Sequence, residues 1–281
     1  DSSSLEEEPS SIESSSAELP PGMNYDLSIE NKRCDINGSL YEDQNTIQIN
    51  KAKFHDLGQV NSDYGAAIHL INFGLDCNDT TFTNCKAIGG GAIYIYIDNV
   101  QRDVLLNFVQ ISQCQAVFGG GVYVFSNAEG NNIKINSSIF TQNQANKKPS
   151  SSSDYLYGGS AVFMQVKKGD IYQCSFSKNI GSGVKIYDDF INQPLPDNKR
   201  SMKENHQDFS SSVSINGCIF EVDKESSSSI FYVHSHRVEI PVNVINCLFD
   251  GELNEDAHYI DGYSYNEENK KDSKLRIRSC K

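Results

Sequence analysis

The 281-residue chain carries 24 Lys and Arg against 37 Asp and Glu, a formal net charge of −13. That balance excludes a nucleic-acid binder that works by displacing counterions from phosphates, and it disfavours docking on anionic lipid heads. With 38% apolar and 22% charged residues the chain can bury a core, yet no apolar run approaches the roughly 20 residues that span a bilayer.

The first segment, residues 1–31, holds eight acids and no Lys or Arg. Eight Ser and a Pro-Pro pair fall within its first 22 residues. Such sequence cannot bury enough surface to offset its ordering entropy, so it reads as an acidic, Ser-rich linker or tail. The chain begins with Asp1 rather than Met, and nothing near it resembles a signal peptide. It is therefore expected to be processed, or cut from a larger protein.

From residue 32 onward the chain repeats itself. An anchor side chain recurs at Phe54, Phe82, Ile111, Phe140, Phe176, Phe220 and Phe249, in steps of 28, 29, 29, 36, 44 and 29 residues. Alternating apolar pairs precede the anchors: Ile47/Ile49, Leu75/Cys77, Val104/Leu106, Ile133/Ile135, Val213/Ile215 and Val242/Val244. Period two predicts a strand with one buried face. Two residues before each anchor stands a smaller side chain: Ala52, Thr80, Val109, Ser138, Cys174, Cys218 or Cys247. Three residues after several anchors stands Cys85, Cys114, Asn143 or Asn179. Glycine clusters follow, at 89–91, 119–121, 158–159 and 181–183, and each opens a second alternating strand. The two long steps contain insertions, expected as loops near 146–157 and 188–212.

Strands at a fixed period cannot each bury a face alone; stacked as coils, they bury one continuous column. The pattern predicts an all-β, right-handed parallel β-helix of about seven to eight coils over residues 32–281. Equivalent residues should superpose, with Asn143 and Asn179 forming an amide ladder at a turn. The glycines should supply positive φ or close backbone approach. Leu275–Cys280 repeats the approach to an anchor that would fall one residue past the end. A continuation or a partner, by end-to-end or lateral self-assembly, is expected there.

The phrases Phe82-Thr-Asn-Cys, Gly90-Gly-Ala-Ile93, Phe140-Thr-Gln-Asn143 and Phe176-Ser-Lys-Asn179 resemble the FxxN and GGA-aliphatic motifs of polymorphic outer-membrane-protein repeats. Those repeats fall within the pectin-lyase-like right-handed β-helix superfamily. The resemblance covers residues 45–190 best. Cys85 and Cys114 stand where Asn is usual, and Gly159-Ser160 interrupts one glycine corner. The resemblance implies a surface or secreted rod used in adhesion or matrix building.

The eight cysteines form no CxxC pairs and follow the coil instead. They read either as buried thiols filling a narrow ladder or as inter-coil disulfides, with Cys85–Cys114 the first pair to test. Asn37, Asn78 and Asn136 begin N-glycosylation sequons. Asn78 and Asn136 each lie one residue after an inward position and should face out. In the glycine-led strands, His69, Tyr94, Tyr123 and Phe163 oppose the inward set. They are expected to stack as an aromatic stripe on the outside, either supporting the sheet or contacting a glycan or protein.

Chemistry-bearing clusters are sparse. Asp188-Asp189 opens an insertion, His234 and His236 share a strand face, and Asp250, Glu252, Asn254 and Asp256 alternate without a closing Glu. None makes a catalytic or metal constellation, and no cofactor is called for. The expected function is a non-enzymatic extracellular or cell-surface segment, structural or adhesive, whose partners are glycans or surface and matrix proteins. The alternative is a carbohydrate-active enzyme, a polysaccharide lyase or glycoside hydrolase, on the same scaffold.

Overall fold

A computed structural model describes residues 34–37, 46–60, 63–128, 130–145, 158–187, 212–221, 231–235, 242–251, 260–264 and 276–281. The tail over 1–31 lies outside them, as do nearly all of both insertions. Every regular element among the described residues is a strand. Apart from the short pair Gln115–Ala116 and Gln144–Ala145, the strands fall into three long parallel sheets, visited in turn by each coil. An eight-stranded approach sheet includes Gly74–Asn78, Val104–Asn107, Ile133–Asn136, Lys168–Tyr172 and Ser212–Asn216. A seven-stranded anchor sheet includes Thr81–Thr83, Gln110–Ser112, Ile139–Thr141, Ser175–Ser177 and Ile219–Glu221. An eight-stranded glycine-led sheet includes Ile68–Ile71, Ile93–Ile97, Val122–Ser126, Val162–Val166 and Val184–Tyr187. This is the parallel β-helix that the repeat spacing predicts.

All seven anchors stack in register, Phe54 on Phe82, then Ile111, Phe140, Phe176, Phe220 and Phe249. The rings lie almost parallel: Phe54–Phe82 at 5.0 Å, Phe140–Phe176 at 5.0 Å, Phe176–Phe220 at 4.8 Å and Phe220–Phe249 at 5.1 Å. These separations match the interstrand spacing of a sheet, which leaves no gap between coils. The 44-residue step from Phe176 to Phe220 keeps the same register, so the long insertion leaves the column unshifted.

The small residue before each anchor is buried, from Ala52 through Cys247. Its hydroxyl or thiol donates to the carbonyl two residues back: Thr80 to Asn78 at 2.8 Å, Ser138 to Asn136 at 2.7 Å and Cys174 to Tyr172 at 3.4 Å. On a second ladder, the Oδ1 of Asn143 accepts from the Cys114 N–H at 3.0 Å, and that of Asn179 from the Asn143 N–H at 2.9 Å. Their amide groups donate to the Ile111 and Phe140 carbonyls. The expected amide ladder is thus present, and it supplies partners to backbone groups that a turn would otherwise strand.

Two corners per coil use the left-handed backbone region. One lies just before the small residue, at Lys51, Asp79, Phe108, Ser137, Gln173 and Asn246 (φ 48–54°). The other lies two residues after the anchor, at Asp56, Asn84, Gln113, Gln142 and Lys178 (φ 52–56°). At all of these corners except Lys178 the N–H is held by the next coil, as Phe108 donates to the Asn136 carbonyl at 3.1 Å and Asn84 to that of Ser112 at 3.0 Å. The glycine corner behaves as expected: Gly90 has φ 59°, and a Cβ on Gly120 would collide with the Ser160 carbonyl.

Phe108 carries this strain while its ring is 63% exposed. Left-handed geometry costs an L-residue about 1–2 kcal/mol, partly offset by the greater entropy that glycine loses on folding. Phe108→Gly is therefore expected to stabilise the fold by about 0.5–1 kcal/mol in urea unfolding. An unchanged or lower midpoint would contradict the corner assignment.

Candidate functional site

The aromatic stripe of the glycine-led sheet stacks as expected but does not face solvent. His69, Tyr94, Tyr123, Phe163 and Lys185 are consecutive in register. Tyr94 and Tyr123 stack at 4.9 Å, and Phe163 meets Tyr123 edge-on at 5.3 Å. All three rings are fully buried, and His69 is half-buried. The stripe expected on the outside is instead buried. One cause lies in the glycine corner, where Gly89, Phe118 and Gly158 occupy one bridged column beside Tyr64. The Phe118 ring fills the space that a Cβ on Gly89 would need. It meets Tyr123 edge-on at 5.0 Å, while Tyr64 lies 4.7 Å from Tyr94. The sequence signal was present: Ala92–Ile97 and Val122–Phe125 are apolar at every position, which marks strands buried on both faces.

This second cluster contains polar tips. The Tyr123 hydroxyl donates to Gln165 Oε1 at 3.2 Å, and Lys185 Nζ sits 5.2 Å over the Phe163 ring. The buried Tyr94 hydroxyl has no hydrogen-bond partner among the described residues. Burial pushes the phenols of Tyr94 and Tyr123 well above their ordinary range.

Cys85 and Cys114 are free thiols, buried and in contact across adjacent coils. The hydrogen bond from Cys114 lowers the Cys85 thiol, while burial pushes Cys114 well up. Cys174, Cys218, Cys247 and Cys280 continue the small-residue ladder, also as thiols. Each donates to the carbonyl two residues back at 3.4–3.6 Å. Cysteine here takes the place of Thr80 and Ser138. Burial pushes the Cys77 thiol up to about 12.

Of the sequons, Asn37 ends the strand Cys34–Asn37 and its side chain lies outside the described residues. Asn78 and Asn136 do face outward, half-buried. They belong to an external amide ladder in which Asn107 donates to Asn78 at 3.0 Å and Asn136 to Asn107 at 2.9 Å. The Nδ2 of each sequon Asn makes one hydrogen bond, Asn78 to Asp76 and Asn136 to Asn107. One hydrogen on each stays outside the ladder.

Sequence reasoning missed the place where this ladder breaks. Four residues before the seven anchors the column runs Asn50, Asn78, Asn107, Asn136, Tyr172, Asn216 and Ile245, so Tyr172 is the interior break, with an Asn on either side, and Ile245 ends the run. Tyr172 is 43% exposed. Two residues earlier lies a parallel row, Lys134, Asp170 and Ser214. Together the two rows line a shallow groove of about 340 Å³ on the outer face of the approach sheet. The substitution of Tyr for Asn in a periodic column was the readable signal.

Asp188, Asp189, His236, Glu252, Asn254 and Asp256 lie outside the described residues, and so does the side chain of His234. Asp250 is exposed. Among the described residues, no three His, Cys, Asp or Glu side chains are grouped to hold a metal, and no helix is long and apolar enough to cross a membrane. No family model, curated protein or solved structure matches the chain.

Two outcomes follow from the buried tips. Cys77, Tyr94 and Tyr123 stay protonated in the fold, whereas an unfolded chain releases a thiol proton near pH 9 and phenol protons near pH 10. Stability contributed by these groups is complete below about pH 9 and falls above it, by about 1.4 kcal/mol per pH unit for each group between its unfolded and folded values. Urea melts from pH 7 to 11 check this, and a flat profile would contradict it. Separately, Tyr94→Phe removes a buried hydroxyl without a partner and should leave stability equal or raise it by about 1 kcal/mol. Tyr123→Phe removes a bonded one and should lower stability by about 1 kcal/mol; equal effects would contradict the assignment.

Proposed function

We propose that the protein is a non-enzymatic β-helix of the cell surface or extracellular space, acting as a structural or adhesive rod. The observation that carries this reading is the coil-to-coil pairing of its outer polar groups. Thr83 meets Ser112 at 3.3 Å, Gln144 accepts from Gln115 at 2.7 Å, Asp98 accepts from Asn127 at 2.6 Å, and the Asn78–Asn107–Asn136 ladder runs alongside. Inward positions are apolar stacks. The polar residues thus reinforce the column along the approach and anchor sheets and at the corners, while the aromatic cluster covers the glycine-led sheet, which suits a stiff spacer with a repetitive surface. Outward-facing sequons at Asn78 and Asn136 support an extracellular setting.

One observation favours the carbohydrate-active alternative: Asp170 and Lys134 stand in register beside the groove. Inverting hydrolysis uses two carboxyl groups roughly 6.5–9.5 Å apart, and the described groove lining offers a single carboxylate. The deciding experiment incubates the protein with neutral and acidic polysaccharides while chain length and binding are followed together. Binding without shortening is the expected result. Shortening that disappears in Asp170→Asn would replace the rod by an enzyme.

A further inference from the structure

We propose that the groove centred on Tyr172 is a binding site for neutral pyranose saccharides, with the sugar ring stacked on the phenol. This rests on the adhesive reading above and names its ligand class.

The outer amide ladder is interrupted at Tyr172. Asn136 donates to Asn107, and Asn246 donates to Asn216 at 3.3 Å, so the amides on both sides of Tyr172 bond away from it. Asn136 keeps its Oδ1 and Asn216 its Nδ2 for an outside partner. Tyr172 occupies the register position between them. Its side chain has neither a hydrogen bond nor a ring contact among the described residues, whereas the buried Tyr94, Tyr123 and Phe163 all stack on one another. An exposed ring between two amides, each about 4.8 Å away along the coil axis, offers an apolar platform with hydrogen-bonding groups at its edges. That combination suits a pyranose, whose C–H face is apolar and whose hydroxyls project around its rim.

The charges lining the groove balance. Lys134 and Asp170 are direct register neighbours, yet they form no ion pair among the described residues. Both therefore retain their hydrogen-bonding capacity toward the groove, as does the Ser214 hydroxyl. One cation and one anion leave the lining neutral, so it does not select a charged sugar. A net charge of −13 over the chain repels polyanions as well. A carboxylate can accept from two vicinal hydroxyls while the ammonium donates to a third oxygen. The groove volume of about 340 Å³ falls at the small end of ligand sites. Its shallowness points to weak binding, with Kd on the order of 1 mM.

The test uses the whole chain and three defined probes: cellohexaose, maltohexaose and hexagalacturonate. NMR titration follows the side-chain amides of Asn136 and Asn216 and the ring of Tyr172. At least one neutral hexasaccharide is expected to shift these signals, with hexagalacturonate weaker. Tyr172→Ala should weaken binding about tenfold, and Tyr172→Phe, which keeps the ring, should stay within about threefold. Tyr172→Phe should leave the melting temperature unchanged, and Tyr172→Ala, which removes a side chain 43% exposed, should lower it only slightly and keep the fold. Absence of shifts with both neutral probes, binding indifferent to Tyr172→Ala, or a preference for hexagalacturonate would each overturn the proposal. Binding that survives Tyr172→Ala leaves the adhesive rod standing without this site. Cleavage of a probe that Tyr172→Ala abolishes keeps the site and overturns the non-enzymatic reading instead.

Discussion

Parallel strands one coil apart must place like residues over like, and the fold depends on that superposition. It allows seven anchors to form one unbroken stack from Phe54 to Phe249. It also imposes a uniform volume on every level, because a larger side chain at the small-residue position would enter the same column. Ala, Thr, Val, Ser and Cys alternate there without consequence because each fits the same space. Thr80, Ser138 and the cysteines return their polar hydrogen to a nearby carbonyl. The corners obey the same rule. Residues held at φ near +50° stay in place because the next coil accepts their N–H.

Superposition also explains the outer surface. Amides and hydroxyls that repeat each coil meet their own kind about 4.8 Å away and bond to it. A residue that departs from its column has no such partner, and Tyr172 is the clearest case. The interior thiols follow the complementary logic: Cys85 touches Cys114 because both replace the Asn seen at 143 and 179, and both are buried as free thiols. Functional chemistry in such a molecule is expected where the period fails.

The architecture was legible because anchors, small residues and glycines recur at a readable spacing. Even the 36- and 44-residue steps could be set aside as insertions, and the register from Phe140 through Phe220 agrees. The left-handed corners were not legible. Lys51, Asp79, Phe108, Ser137 and Gln173 share no side-chain chemistry, because the constraint falls on their backbone and is met by hydrogen bonds to the next coil. Burial of the aromatic stripe was missed for another reason. The aliphatic positions of Ile93–Ile97 alternate as in a one-sided strand, but Tyr94 and Tyr96 between them are themselves apolar and make the strand two-sided. Phe118 stands in a glycine column, between Gly89 and Gly158, where its size is the departure that matters. The groove was not legible because the readable columns are the inward ones, seven, five and two residues before the anchor, whereas Tyr172 and Asp170 stand on the outward columns between them.

The superposition can be measured directly through spin labels on the outer column of the anchor sheet, where Lys53, Thr81, Gln110, Ile139, Ser175, Ile219 and Leu248 follow one another in register. At about 4.8 Å per coil, labels on Lys53 and Ile219 should lie roughly 24 Å apart, and those on Lys53 and Leu248 roughly 29 Å. Two narrow distance distributions separated by one coil rise are the expected result. Broad distributions, or distances that do not grow by one step per coil, would contradict the stacked column and everything built on it.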